Sequence, residues 1–227
     1  MIGPDDAGYD GARTIFPGGI DRWPAVIVRP ADATDVAHVV SLARETGQEL
    51  AVRSGGHSIY SVSEGGIVLD LSDMKELQID VEGRTAWAET GLTAVEYTTA
   101  TGAHGLATGF GDTGSVGIGG LTLGGGVGYL VRKHGLTIED LLAAEIVTAD
   151  GELRWVDAET HPTSSGRSVA AAGTLGWRPA SSSGCTRSTS STRSSPRRRP
   201  LRRSSRPSPT LCRHRRCHLC RRSITDN

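Results

Sequence analysis

The sequence predicts an α+β domain over residues 23–162, with an irregular lead-in before it (1–22) and a disordered basic tail after it (163–227). Short apolar runs alternate with helical repeats up to residue 162, and afterwards the periodicity stops. Residues 1–162 hold 10 Lys and Arg against 24 Asp and Glu, whereas residues 163–227 hold 15 Arg and a single acid, Asp226. The overall net charge of zero therefore averages two unlike parts.

The domain begins with a predicted β-α-β unit. Residues 25–28 form a short apolar run that ends before Arg29-Pro30, as a buried strand does. A helix is predicted from a cap at Thr34 to a stop at Gly47, because apolar residues recur there at helical spacing: Val36, Val39, Val40 and Ala43. A second strand, 50–52, then leads into a glycine turn.

That turn, Arg53-Ser54-Gly55-Gly56-His57-Ser58, is a candidate anion site. Glycine lets the backbone aim its N–H groups at an anion, and the arginine adds positive charge. An ordinary connecting turn is the alternative, because a Gly-Gly pair is common in turns.

Further strands are predicted after the turn, at 67–71, 77–81 and 85–89, with a hairpin at Glu82-Gly83. Thr93 and Glu96 have the spacing of a capping box, so a second helix is expected there. Near the end of the domain we expect a short helix over 138–143, then two strands around Asp150-Gly151.

Ten glycines fall between residues 109 and 128, and apolar residues recur among them. This mixture predicts backbone that packs closely on a flat or anionic group, with tight turns in a sheet-rich core as the alternative. A dinucleotide-binding Gly-x-Gly-x-x-Gly occurs at Gly109, Gly111 and Gly114, but no strand precedes it and more glycines follow where a helix should open. The phosphate-binding Gly-x-x-x-x-Gly-Lys pattern does not occur.

In this order the motifs resemble the flavin-binding domain of PCMH-type (vanillyl-alcohol-oxidase-like) flavoproteins, and within them the berberine-bridge-enzyme-like oxidoreductases. The resemblance covers about Tyr9 to Pro162 and rests on five segments besides Arg29-Pro30: 53–57, 65–71, 117–128, 133–136 and 147–151. It implies two α/β subdomains with FAD between them. Here that domain is expected to be incomplete.

The resemblance also implies where FAD binds. The pyrophosphate would meet the turn, the ribityl chain and ring would follow the glycine stretch, and the adenine would meet the backbone of Val147. The implied cofactor-binding residues are Arg53, Ser54, Gly55, Gly56, His57, Ser58, Thr113, Gly117, Gly119, Gly120, Leu121 and Val147.

Two of these positions concern covalent attachment of the flavin. His57 aligns with the histidine that, in the family, bonds to the 8α carbon of the flavin. A neutral imidazole is a competent nucleophile, and the alternative is that His57 only hydrogen-bonds a phosphate. Thr113 stands where some relatives carry a second, cysteinyl link, so double attachment is excluded.

The resemblance stops at Pro162, where relatives continue Asp-Leu-Phe-Trp-Ala-x-Arg-Gly-Gly-Gly-Gly-Asn-Phe-Gly. We hypothesise that the reading frame slips by one nucleotide between Pro162 and Thr163. With synonymous codons chosen freely, one restored G turns residues 163–178 into Asp-Leu-Phe-Trp-Ala-Val-Arg-Gly-Gly-Gly-Gly-Asn-Phe-Gly-Val-Ala. On this hypothesis the tail's Cys/His cluster at 212–220 is not a metal site, and its arginine runs bind polyanions only weakly.

The expected function is that of an FAD-dependent oxidoreductase. Its relatives would oxidise a small organic substrate by hydride transfer to FAD, with O2 as acceptor, and this chain would be truncated and inactive. No catalytic residue and no metal ligand are assigned. The alternatives are a non-catalytic FAD-binding fragment and a basic-tailed nucleic-acid-binding protein. Since no targeting signal or membrane span is visible, we expect a cytoplasmic protein without membrane or specific nucleic-acid partners.

Overall fold

The computed structural model describes residues 1–157, 159, 169–177 and 180–181, and its first sheet is parallel with three strands. Strand β3 (Ile67–Asp70) lies between β1 (Val26–Val28) and β2 (Leu50–Arg53). Helix α2 (Ala33–Thr46) connects β1 to β2, which confirms the predicted β-α-β unit.

The N-cap of helix α2 lies two residues earlier than the sequence predicted. Asp32, not Thr34, is the N-cap, because its backbone is extended and its carboxylate accepts hydrogen bonds from the N–H groups of Thr34 and Asp35. The helix ends at Gly47, whose φ of 68° is the left-handed conformation that glycine adopts without strain. Its apolar residues form one buried cluster with residues of the parallel sheet and with Val147 of the following sheet.

The second sheet is antiparallel and has five strands. Their order is β4-β5-β9-β7-β8. The strands are β4 (Leu77–Asp80), β5 (Thr85–Glu89), β7 (Leu141–Thr148), β8 (Leu153–Asp157) and β9 (Val169–Trp177). Helix α3 (Ala94–Gly102) contributes Tyr97 to the core of this half, where the tyrosine meets Phe110 edge-on at 4.9 Å.

Short elements complete the described chain. They are α1 (Tyr9–Arg13), β6 (Leu106–Ala107), α4 (Ile118–Leu123), α5 (Val131–His134), a 3-10 helix (Thr137–Asp140) and β10 (Ala180–Ser181), which pairs with β6. The helix expected at 138–143 is therefore only this 3-10 turn, because the chain enters β7 at Leu141, which pairs with β9, and from Ala143 it pairs with β8 as well. No helix among these elements has the length and apolar content to span a bilayer.

The lead-in 1–22 is more ordered than its polar, glycine-rich composition indicated. It contains α1, and Tyr9, Ala12 and Ile15 are buried against the parallel sheet. Ile2 exchanges two backbone hydrogen bonds with Ile27 of β1, each 2.8 Å. The first 22 residues thus contribute three side chains to the domain core.

The expectation of disorder throughout 163–227 is corrected at β9 and β10. Strand β9 pairs with β5 on one side and β7 on the other, so its backbone groups are satisfied by two neighbours whatever its side chains are. Gly176 of β9 lies beneath Trp87, where an added Cβ would come within 2.8 Å of the indole. The proposed frame-slip junction and the Cys/His cluster at 212–220 lie outside the described residues.

Candidate functional site

The glycine turn that follows β2 lies beside the start of the glycine stretch, and together they enclose a cavity of about 270 Å³. Eight of the twelve predicted binding residues line it, so two segments about sixty residues apart in sequence form one site. The lining residues are Val52, Ser54, Gly55, Gly56, His57, Ser58, Ser61, Val116, Gly117, Gly120 and Leu121. The volume is near the lower end for ligand pockets, and it suits part of a dinucleotide.

The two segments touch through glycine backbones. A Cβ on Gly55 would lie 2.2 Å from the backbone nitrogen of Gly117, and a Cβ on Gly117 would lie 2.1 Å from Ser54 Oγ. Neither position therefore accepts a side chain. Gly120 differs, because nothing lies within 4 Å of its Cβ position and it faces open space in the cavity.

The first residues of α3, with Leu92 just before them, hold the glycine stretch in place. The N–H groups of Ala94 and Val95 donate to the carbonyls of Val116 (2.8 Å) and Gly114 (2.9 Å). In the opposite direction, the N–H group of Ile118 donates to the carbonyl of Leu92 (3.0 Å). The first N–H groups of a helix have no partner within it, so α3 satisfies two of them with this loop. Sequence reasoning missed this role and interpreted the segment only as a helix start.

The predicted capping box of α3 is present and carries a charge. Glu96 accepts hydrogen bonds from the N–H (2.8 Å) and hydroxyl (2.7 Å) of Thr93, and Lys75 Nζ lies 2.6 Å from its carboxylate. Burial alone would raise the pKa of Glu96, but the hydrogen bonds from Lys75 and Thr93 outweigh it and lower the pKa to about 2. The carboxylate is therefore ionised at neutral pH and stabilises the helix start.

His57 is held on two sides. Its Nε2 lies 3.0 Å from Ser115 Oγ, on the glycine stretch. The ring of Phe16 stacks on the imidazole, with the centroids 4.0 Å apart and the planes inclined by 16°. Phe16 is itself fixed by a 2.9 Å hydrogen bond from its N–H to the carbonyl of Gly56. Neither Phe16 nor Ser115 was singled out from the sequence.

Arg53 does not line the cavity. Its Nε lies 3.7 Å from the fully buried carboxylate of Asp70, which also meets Arg29 at 3.2 Å, and its NH1 donates to the Ala12 carbonyl. A buried carboxylate needs such partners, so the Arg53 charge is engaged beneath the turn. Among the described lining residues none is Lys, Arg, Asp or Glu. An anion here would be held by backbone N–H groups and serine hydroxyls.

Three other predicted binding residues also lie outside the lining. Thr113 is exposed, and its hydroxyl meets Asp112 at 3.1 Å. Gly119 is buried against Thr90, where a Cβ would come within 2.7 Å of the threonine Cβ. Val147 is fully buried in the core beside α2.

Comparison with known proteins shows which family and which relatives this chain is similar to. The FAD binding domain family matches residues 24–157. (R)-6-hydroxynicotine oxidase of Paenarthrobacter nicotinovorans is 38% identical over 164 residues, which are 71% of this chain and 36% of that protein. Berberine bridge enzyme-like 27 of Arabidopsis thaliana is 38% identical over 135 residues, 56% of this chain and 25% of that protein. The chain thus spans about a third or less of the length of these curated relatives.

Solved structures show the same fold. 6-Hydroxy-D-nicotine oxidase from Arthrobacter nicotinovorans has a TM-score of 0.76 at 34% identity, over 79% of this chain and 42% of its own. Glucooligosaccharide oxidase from Acremonium strictum has a TM-score of 0.69 at 26% identity, over 77% of this chain and 39% of its own. It is described as having a 6-S-cysteinyl, 8α-N1-histidyl FAD.

Proposed function

The chain belongs to the FAD binding domain family of PCMH-type, berberine-bridge-enzyme-like flavoproteins, and from this we propose that the cavity beside His57 holds the pyrophosphate region of FAD. The predicted two-part α/β fold and the family resemblance are both confirmed. The observation that carries the proposal is the direct contact of Gly55 with Gly117 at the cavity wall. Because both residues are glycines, no side chain stands between the two backbones, and both can approach one ligand.

The residues present fit FAD at this place. The turn offers backbone N–H groups around Gly55 and Gly56, and Ser54, Ser58 and Ser61 bring hydroxyl groups to the lining. Such a nest binds phosphate oxygens without a charged side chain. FAD, when bound, supplies the acceptor for a hydride from the substrate. The chain's own contribution is to bind it, orient it and shield part of it from water.

We propose that His57 also forms the covalent link to the flavin. It lines the cavity, and its imidazole is held by Phe16 and Ser115 without a charged partner among the described residues. The histidyl FAD reported for glucooligosaccharide oxidase shows that this fold accommodates such a bond. If His57 instead only contacts a phosphate, the flavin will leave the protein on acid denaturation.

The reaction we propose for the full-length relatives is oxidation of a small organic substrate with O2 as acceptor. Two of the relatives carry the name oxidase, which supports this class. Among the described lining residues, only His57 offers an acid or base to a substrate. We therefore propose that residues 1–227 bind FAD without turning over substrate.

Reconstitution of the purified chain with FAD tests the proposal. We expect saturable binding with about one FAD per chain, followed by flavin that stays with the acid-precipitated protein. A folded chain that binds no FAD would refute the function. Salt-dependent DNA binding that requires residues 163–227, in a chain without FAD affinity, would favour the nucleic-acid alternative.

A further inference from the structure

We propose that Ser115 is a positioning residue that sets the tautomer of His57. In this assignment Nε2–H donates to Ser115 Oγ, and Nδ1 keeps the lone pair that would attack the flavin. The inference rests on the proposed FAD-binding function. It adds which side chain orients the imidazole and leaves Nδ1 free to react.

The contact between these residues joins the two halves of the site. Ser115 lies on the glycine stretch and His57 on the glycine turn, and their side chains meet at 3.0 Å. Among the residues that the structure describes, this hydroxyl is the imidazole's hydrogen-bond partner. A neutral imidazole has one N–H and one lone pair, and the bond made by one nitrogen decides the state of the other. Donation from Nε2 satisfies the N–H and leaves Nδ1 as the free base.

The opposite tautomer is less well satisfied. With the proton on Nδ1, the Ser115 hydroxyl would donate to Nε2, and the Nδ1–H group would have no acceptor among the described residues. Nε2 would then also have to give up the serine before it could attack the flavin. A rotation of the ring by 180° about Cβ–Cγ would put Cε1 in the place of Nε2 and so break the bond to Ser115. Phe16, stacked on the imidazole at 4.0 Å, opposes that rotation.

Ser115 is itself well placed to hold an orientation. The carbonyls of both its neighbours, Gly114 and Val116, accept hydrogen bonds from the first residues of α3. A serine between two such fixed peptides loses little further entropy when it binds His57. The start of α3 therefore fixes the backbone around Ser115, and Ser115 in turn orients the imidazole.

The chemistry of attachment fits this assignment. Attack through the Nδ1 lone pair places positive charge on the ring, and the hydrogen bond from Nε2–H to Ser115 Oγ stabilises that charge. Attachment joins Nδ1 to the 8α carbon. The 8α methyl group and the imidazole would each lose one proton, and the two electrons released would reduce the flavin, which O2 would reoxidise with formation of H2O2. Ser115 does not bond to the flavin.

Nuclear magnetic resonance of the FAD-free chain provides the first test. Long-range proton–nitrogen spectra of the His57 side chain distinguish the two neutral tautomers. We expect the Nε2–H form to predominate in the natural chain and in Ser115→Thr, which keeps the hydroxyl, and a mixture in Ser115→Ala. A predominant Nδ1–H form in the natural chain would overturn the assignment, whether or not FAD binds.

The second test follows attachment of added FAD under air. We expect Ser115→Ala to form acid-stable flavin about 10-fold more slowly than the natural chain, as expected from loss of one hydrogen bond, and Ser115→Thr to restore the rate. Non-covalent FAD affinity should be unchanged, because Ser115 does not line the cavity. The isolated flavin peptide should carry the bond at Nδ1. A bond at Nε2, or equal rates in all three proteins, would overturn the inference and leave FAD binding intact.

Discussion

Replacement of Gly117 with alanine tests the contact on which the proposed site depends. The added Cβ would lie 2.1 Å from Ser54 Oγ and 2.2 Å from the backbone nitrogen of Gly55. Ordinary contacts between such atoms are about 3.5 Å, so the glycine turn and the glycine stretch must separate by roughly 1 Å or more. Serine can rotate away, but the backbone of Gly55 cannot. The clash therefore opens the wall of the cavity.

The expected loss of folding stability in Gly117→Ala comes from overpacking alone. Gly117 has a φ of −71°, which alanine adopts without strain, so no backbone term contributes. Overpacking in a well-packed region costs about 1–3 kcal/mol. For a domain of this size each kcal/mol lowers the melting temperature by about 2–4 °C. We therefore expect a decrease of roughly 2–12 °C, together with loss of FAD binding.

A matched glycine in α3 provides the control. Nothing lies within 4 Å of the Cβ position of Gly102, the last residue of that helix. Gly102→Ala should unfold at the same temperature as the natural chain or slightly higher, because alanine favours helix more than glycine does. Thermal unfolding by circular dichroism and FAD titration measure both effects. If Gly117→Ala keeps its stability and its FAD affinity, the two segments do not touch as described.

Four further predictions concern charge, attachment and the gene. The pKa of Glu96 is lowered in the folded state, so its stabilisation is present above the unfolded pKa near 4.3 and is lost as the pH falls towards 2. Its side chain is 39% exposed, so we expect Glu96→Gln to cost only about 1 kcal/mol in urea unfolding at pH 7 and about half of that at pH 3; an equal cost at both would contradict the assignment. Asp70→Ala should cost about 3–5 kcal/mol, because it leaves the Arg53 guanidinium beneath the turn without its carboxylate. A cost below 1 kcal/mol would show that this pair contributes little. His57→Ala should bind FAD and release all of it in acid, whereas retained flavin would place the link elsewhere. Sequencing of codons 160–165 should show a missing G relative to the family frame, and an intact GAC there would reject the slip.

The sequence was informative where local rules decide structure. The capping box at Thr93 and Glu96, the stop at Gly47 and the hairpin at Asp150-Gly151 depend on backbone groups within a few residues, and all three are present. The glycines at 55 and 117 marked a close approach of backbone. The sequence did not indicate that these two glycines approach each other, which is a tertiary contact.

The missed residues share a different reason. Phe16 is 66% exposed and lies in a polar lead-in, so no periodic pattern marks it, yet it covers His57. Ser115 is an ordinary loop serine until the fold brings it beside the imidazole. Arg53 was expected to face an anion because it begins the turn, but its guanidinium instead pairs with the buried carboxylate of Asp70. Pairings of this kind depend on how the sheets place the segments, and a single sequence does not record that.

Equilibrium binding of FAD to the purified chain decides whether the cavity beside His57 is a flavin site. Equilibrium titration, followed by the change in flavin fluorescence, should show saturation at about one FAD per chain, and Gly117→Ala should abolish it while Gly102→Ala does not. Circular dichroism on the same samples establishes that each protein is folded. A natural chain that is folded and shows no saturable change with FAD would contradict flavin binding at this cavity.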